Sequence, residues 1–119
     1  MDRELEHLFA MTDRELDLLI AHHLVDEDFG SREDDEEERI FITRRWFLSL
    51  QDKLRGAICG RVENRQRTGN PEEDNKLLVA AIIDALAHAQ LGVDIPITVL
   101  AVKIARVGVQ KICQGSTES

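Results

Sequence analysis

A carboxylate and an imidazole lie one helical turn apart in the most apolar part of the chain. Asp84 and His88 are four residues apart within segment 77–91, so a helix places both side chains on one face. They could act as a general base with its orienting carboxylate, or as two metal ligands. We favour a structural alternative, in which Asp84 faces a groove or pairs with a cation of a neighbouring helix. The candidate cations are Arg44, Arg45, Lys103 and Arg106.

Other patterns that carry chemistry are missing from the sequence. There is no Gly-x-Gly-x-x-Gly motif, phosphate-binding loop or nucleophile elbow. His22 and His23 are adjacent, so on a helix they project about 100° apart and cannot readily chelate one ion. The cysteines and histidines lack the short paired spacings of a zinc site, and the acidic run lacks a calcium-loop frame. We therefore predict no catalytic residue, metal or cofactor, and a protein that is not an enzyme.

The elements that must position these residues are dominated by two apolar segments, 77–91 and 95–113, joined by Gly92-Val93-Asp94. Asn70 and Pro71 predict the start of a helix that ends at Gly92. Asp94 is expected to cap a last helix, with Pro96 in its first turn, that ends by Gly115. Its expected polar stripe is Lys103, Arg106 and Gln110. The two helices should form an antiparallel hairpin.

Two further helices are expected near the amino end. We predict a short first helix and a second from Asp13 to about Val25, with Thr12 and Glu15 forming a capping box. The stripe expected to face inward is Leu16, Leu19, Ile20, His23 and Leu24. The dense acids that follow predict a loop at 26–35.

A helix is predicted from about Glu36 to Arg67, where apolar residues recur at helical spacing with bases between them. Either it breaks near Gly56, or Gly56 and Gly60 allow another helix to approach closely. A short strand at 39–43 is the other possibility, although no partner strand is evident. The predicted fold is all-α, a single domain of residues 1–119 with four to five helices around the carboxyl-terminal hairpin and a flexible tail at 115–119.

Composition excludes several classes of protein. The 119 residues include two cysteines, Cys59 and Cys113, which are too few for a disulfide scaffold, and the first residues are charged. These features predict a cytoplasmic protein with reduced thiols that pack as small core residues. The apolar segments contain Asp84, Lys103 and Arg106, so neither is expected to span a membrane.

Charge is distributed unevenly along the chain. Residues 1–38 carry fifteen acids and three bases (−12), residues 39–67 eight bases and two acids (+6), and residues 68–119 four bases and six acids (−2), which sum to −8. Arg44, Arg45 and Trp46 could contact nucleic acid, but the acidic first third would repel phosphate. We instead expect the basic segment to neutralise the acidic one, within the fold or across a dimer.

Three stretches, Leu54–Gly60, Leu77–Leu91 and Ile95–Cys113, together resemble small helical accessory modules of bacterial conflict systems. The similarity covers about half of the chain and depends on apolar helices, an Ile-Cys ending and the turn proline, Pro96. The resemblance implies a non-enzymatic adaptor or effector-associated module in a bacterial cytosol. It transfers no catalytic residue.

The first functional hypothesis is a helical interaction or adaptor module that self-associates or docks to a larger bacterial partner, because the hairpin looks too apolar for the other helices to cover. The candidate interaction residues are Arg44, Arg45, Trp46, Asp84, His88, Lys103 and Arg106. One alternative is a small enzyme or metal-dependent hydrolase that uses Asp84 and His88 with acids from residues 33–38. A second alternative is an acidic mimic of nucleic acid that inhibits a DNA-binding protein.

Overall fold

A computed structural model of the chain describes residues 3–24, 36–62, 70–93 and 95–114, and every regular element in these ranges is an α-helix. The helices are α1 (Arg3–Ala10), α2 (Asp13–Leu24), α3 (Glu36–Ser49), α4 (Gln51–Ile58), α5 (Pro71–Ala89), α6 (Ile97–Val107) and α7 (Val109–Gln114). The all-α class is confirmed. The predicted number of four to five helices is wrong for the described residues, which hold seven, because two predicted long helices are each broken. The predicted loop at 26–35, the tail at 115–119 and the Asp94 cap lie outside these ranges.

Two helices begin where the capping residues predict. Thr12 Oγ1 accepts a hydrogen bond from the Glu15 amide at 3.1 Å, and Glu15 Oε1 accepts one from the Thr12 amide at 2.9 Å. This reciprocal pair confirms the capping box at the start of α2. At the start of α5, Asn70 Oδ1 accepts a hydrogen bond from the Glu73 amide at 3.3 Å. Pro71 is the first residue of that helix, as predicted.

The buried face of α2 differs from the predicted stripe. Leu16 and Ile20 are fully buried as expected, but His23 is exposed. Asp17 and Ala21 are buried instead. The inward face of α2 therefore includes an aspartate, Asp17, which a search for apolar periodicity does not select. Because its carboxylate is buried, it requires a partner in the core.

The long helix predicted from Glu36 breaks at Leu50 and not at Gly56. Ser49 Oγ donates a hydrogen bond to the Trp46 carbonyl at 2.6 Å, so a side chain competes for a backbone acceptor where α3 ends. Helix α4 then continues through Gly56, where an added Cβ would meet no atom within 4 Å. Neither a break at Gly56 nor a close helix approach there is therefore observed.

Helix α6 lies at the centre of the described fold, where it contacts α1, α2, α5 and α7. Four consecutive residues, 99–102, are buried together with Ile104, so apolar side chains point inward around most of the helix. The shell of other helices therefore covers α6 within the described residues. No described helix combines the length and the apolar character required to cross a membrane.

The apolar segment after Pro96 does not form one helix, because it breaks at Gly108. Gly108 adopts φ 107°, a conformation that a side chain disfavours, and its amide donates to the Ile104 carbonyl at 2.8 Å to close α6. The chain then turns into α7, which packs against α4. The last helix was predicted without this break.

Cys59 and Cys113 form a disulfide with a Cα–Cα distance of 5.9 Å. The prediction of reduced thiols is therefore wrong. It failed because spacing in the sequence does not show that the turn at Gly108 directs α7 towards the end of α4. The disulfide also removes one of the two arguments for a cytoplasmic location.

Helix α5 ends two residues before the predicted position. Ala89 is its last residue, and Gln90 adopts φ 51°, the left-handed conformation that glycine usually supplies at a helix end. Gly92 has φ 69°, so it also turns the chain but does not close the helix. A residue with a side chain therefore occupies a position that favours glycine.

Replacing Gln90 with glycine is expected to raise the free energy of unfolding by about 0.5 kcal/mol, since relief of the left-handed strain exceeds the added freedom of the unfolded chain. Urea denaturation followed by circular dichroism measures the change. As a matched control, Gln110→Gly in the exposed part of α7 should lower it by about 1 kcal/mol. A Gln90→Gly variant that is also less stable would contradict this interpretation.

Candidate interaction surface on helix α3

The predicted interaction residue Lys103 lies inside the protein. Its Nζ is 2.7 Å from Asp17 Oδ1, and the two side chains are only 14 % and 7 % exposed. Lys103 Nζ also lies 5.6 Å from the ring centroid of Phe47, within cation–π range. Thr43 Oγ1 donates to the Asp17 carbonyl at 2.9 Å. This cluster joins α2, α3 and α6, so Lys103 has a structural role and is not a surface contact.

Arg106 is also used within the fold. Its Nη2 donates to the carbonyls of Leu8, Phe9 and Met11 at 3.2, 3.2 and 2.6 Å. Its Nη1 donates to Asp13 Oδ1 at 2.8 Å. The guanidinium thus binds carbonyls at the carboxyl end of α1 and joins α1 and α2 to α6. Two members of the expected polar stripe, Lys103 and Arg106, therefore bind carboxylates and carbonyls within the protein, while the third, Gln110, is exposed.

Asp84 and His88 lie on α5 and are both exposed. Within the described residues, no cation lies within ion-pair distance of Asp84, because Lys103 binds Asp17 and Arg106 binds Asp13. Pairing of Asp84 with a cation of a neighbouring helix, one of the two structural alternatives, is therefore not observed among the described residues. Asp84 lies on a side of α5 that faces solvent, and the high apolar content of this helix does not reveal that side in the sequence.

Helix α3 presents two opposite faces. Ile40, Thr43 and Phe47 are buried against the protein. The outward side, which we call the outer face of α3, consists of Glu37, Glu38, Phe41, Arg44, Arg45 and Leu48, all of which are exposed. At 100° per residue, Phe41 and Leu48 are only about 20° apart and lie at the centre of this face. Phe41 is 57 % exposed and Leu48 is 66 % exposed, so the face has an uncovered apolar centre.

Two arginines flank this apolar centre. The Arg45 guanidinium lies 5.7 Å from the ring centroid of Phe41, so a cation–π contact orients it along the face. Among the described carboxylates, none lies within ion-pair distance of Arg44 or Arg45. The neighbouring Trp46 is half-buried and packs against the core. Of the predicted interaction residues, Arg44 and Arg45 are therefore the exposed ones whose positive charge is not paired with any described carboxylate.

The amino end of the outer face is acidic. Arg14 Nη2 donates to Glu36 Oε1 at 2.7 Å, and its Nη1 donates to Glu37 Oε2 at 3.4 Å. The hydrogen bond to Glu36 raises the pKa of Arg14 above its usual value. Glu36 is thus the closer partner of Arg14, while the Glu37 side chain stays 82 % exposed. Glu37 and Glu38 are therefore available to a cation from outside.

Sequence reasoning did not separate this face from the core. Ile40 and Phe41, and likewise Phe47 and Leu48, were counted as one apolar pattern. Residues adjacent on a helix differ in direction by about 100°. The two adjacent apolar pairs could have revealed the exposed residues. When one member of such a pair is buried on a helix, the other must face outward.

An apolar cavity of about 340 Å³ lies between the end of α5 and the start of α6. Its lining includes Leu86, Leu91, Ile95 and Leu100, and Gln90 has the only polar side chain among the described residues that line it. Asp84 and His88 are not part of this lining. The cavity therefore offers apolar contact and no titratable group from the described residues.

Within the described ranges, no three histidine, cysteine or acidic side chains cluster closely enough to hold a metal ion. His22 and His23 are both exposed, with ring centroids 5.8 Å apart. Comparison of the chain with protein-family models, curated proteins and solved structures finds no match.

Proposed function

We propose that the protein is a non-enzymatic helical interaction module that binds a protein partner through the outer face of α3. The observation that carries this proposal is the exposure of Phe41 and Leu48 side by side, with Arg44 and Arg45 beside them. Among the described residues the exposed large apolar side chains are Phe41, Leu48 and Leu77, so two of the three share this one face. An apolar centre with a charged surround is typical of a protein-binding surface.

In this proposal α5 and α6 form an antiparallel hairpin that serves as the scaffold. The connection between them covers only residues 90–96, and the two helices contact each other. Short connections are typical of antiparallel neighbours in helical bundles. Contacts of α6 with α2, and of α2 with α3, then hold the outer face in place on a packed base.

The two alternative functions have less support. A hydrolase built on Asp84 and His88 needs an enclosed site, and both side chains are exposed on α5 outside the apolar cavity. A mimic of nucleic acid needs a continuous negative stripe, and the acidic residues of α3 are confined to its first turn, with Arg44 and Arg45 further along the helix.

The resemblance to accessory modules of bacterial conflict systems agrees with an interaction role and implies a bacterial cytoplasmic setting. The disulfide between Cys59 and Cys113 points instead to an oxidising compartment, since such bonds are rare in the cytosol. We therefore base the proposed role on the outer face of α3 and not on the compartment.

Site-specific photocrosslinking in the cells that naturally make the protein tests this role. A benzoyl-phenylalanine at position 48 is expected to give a discrete protein adduct, identified by mass spectrometry. The same group at exposed Gln110 on α7 should give none. The adduct should disappear in the Arg44→Glu/Arg45→Glu background, whereas Lys53→Glu/Lys111→Glu, which changes the net charge equally, should leave it intact. No adduct at position 48, or one indifferent to the Arg44 and Arg45 reversals, would refute the proposal.

A further inference from the structure

The charges on the outer face of α3 are ordered along the helix. Glu37 and Glu38 lie in the first turn, Phe41 in the middle, and Arg44 and Arg45 one turn further on. Each acid is seven residues from its corresponding base, which is two helical turns or about 10 Å along the axis. Within these four residues the two negative and two positive charges cancel.

This order is self-complementary when a second α3 runs in the opposite direction. With a two-fold axis at Phe41, residue 41 + k of one helix lies opposite residue 41 − k of the other. Arg44 then faces Glu38 of the second copy, and Arg45 faces Glu37. The axis repeats both contacts, which gives four opposite-charge pairs around two adjacent Phe41 rings. A parallel arrangement would instead place like charges side by side.

The apolar residues have a spacing that suits such a pair. Positions 37, 41, 44 and 48 alternate by four and three residues, the repeat that forms the seam between two packed helices. Phe41 and Leu48 are the apolar members of this seam, and the aliphatic stem of Arg44 can extend it. Phe41 is 57 % exposed in the single chain, so pairing would remove its ring from water, whereas Leu48 lies beyond the first residue of the second α3 in this register.

We propose that the outer face of α3 is a homodimer interface, in which two copies of the chain pair their α3 helices antiparallel about Phe41. This inference rests on the proposed function and specifies the partner. The argument for a second copy is charge complementarity. A uniformly acidic partner would be repelled by Glu37 and Glu38, and a uniformly basic one by Arg44 and Arg45. A complementary partner therefore carries the same order of acidic and basic residues in the opposite direction. A second α3 that runs antiparallel has this order.

The existing contact of Glu37 does not oppose this pairing strongly. Arg14 is 3.4 Å from Glu37 but 2.7 Å from Glu36, so it keeps its closer partner when Glu37 turns towards Arg45 of the second copy. Glu38 has no cation within ion-pair distance among the described residues. Formation of the dimer therefore requires no buried contact to be broken.

Analytical ultracentrifugation of the purified full chain across the micromolar range tests the inference. The natural sequence is expected to dimerise, with a dissociation constant that rises as salt is added. Arg44→Glu/Arg45→Glu makes the face wholly acidic, and Glu37→Arg/Glu38→Arg makes it wholly basic. Each variant alone should dimerise about tenfold or more weakly, because like charges then face each other. The control Lys53→Glu/Lys111→Glu should dimerise as the natural sequence does.

The decisive sample is an equimolar mixture of the two charge-reversed variants, in which each acidic position faces a basic one. Native mass spectrometry is expected to show the mixed dimer in excess over both self-paired species. Circular dichroism checks that each variant is folded, which matters most for arginines placed at the start of α3. Monomers throughout, or dimers that ignore both reversals, would overturn the inference.

Failure of this inference is distinguishable from failure of the proposed function. If the purified chain is monomeric while position 48 crosslinks to a different protein in cells, the homodimer is refuted and the interaction role stands. If neither a dimer nor an adduct at position 48 is found, both are refuted.

Discussion

Replacing Lys103 with methionine is expected to lower the free energy of unfolding by about 3 to 5 kcal/mol. The substitution leaves the carboxylate of Asp17, whose side chain is 7 % exposed, without its cation. It also removes the contact between the ammonium group and the Phe47 ring. Urea denaturation monitored by circular dichroism at neutral pH measures the loss.

The double variant Asp17→Leu/Lys103→Met distinguishes loss of the ion pair from the cost of leaving a buried carboxylate without a cation. Because it removes both charges together, it should be more stable than the single Lys103→Met variant. Lys111→Met on the exposed side of α7 is the matched control and should change stability by no more than about 0.5 kcal/mol. If Lys103→Met resembled this control, the central ion pair would have no structural importance.

Reduction of the disulfide is expected to lower the free energy of unfolding by about 4 kcal/mol, from the loop-closure entropy that the bond removes from the unfolded chain. The cysteines are 54 positions apart, so the closed loop is long and the expected effect is large. Urea denaturation with and without dithiothreitol measures it.

The variant Cys59→Ala/Cys113→Ala provides the control for this experiment. Its stability should match that of the reduced natural chain and should not respond to dithiothreitol. Thiol titration in denaturant without reductant should find no free thiol in the natural protein. Two titratable thiols, or an unfolding curve indifferent to reductant, would show that the bond does not form.

The helix starts were predictable because they depend on residues close in sequence. The capping box of Thr12 and Glu15 lies within one turn, and Asn70 and Pro71 mark the start of α5 equally locally. The all-α class follows from the same local signals, since apolar residues recur at helical spacing along most of the chain.

The features that could not be predicted from the sequence depend on contacts between residues far apart in the chain. Lys103 and Arg106 look like an exposed stripe until Asp17 and Asp13, 86 and 93 positions away, are seen to face them. The break at Leu50 occurs without glycine or proline, so no strong breaker marks it. Of the candidate site, Arg44 and Arg45 were anticipated. Phe41 and Leu48 were not, because apolar content does not reveal which of two adjacent apolar residues faces outward.

The backbone turn at Gly108 allows the disulfide between Cys59 and Cys113 to form. If a bulkier residue there kept α6 and α7 as one straight rod, Cys113 would point away from α4 and Cys59 would lose its partner. Alkylation of these two cysteines would therefore indicate that the backbone at Gly108 has lost its positive φ angle. A single added methyl group at position 108 could thus be detected as a mass increase at two cysteines elsewhere in the chain.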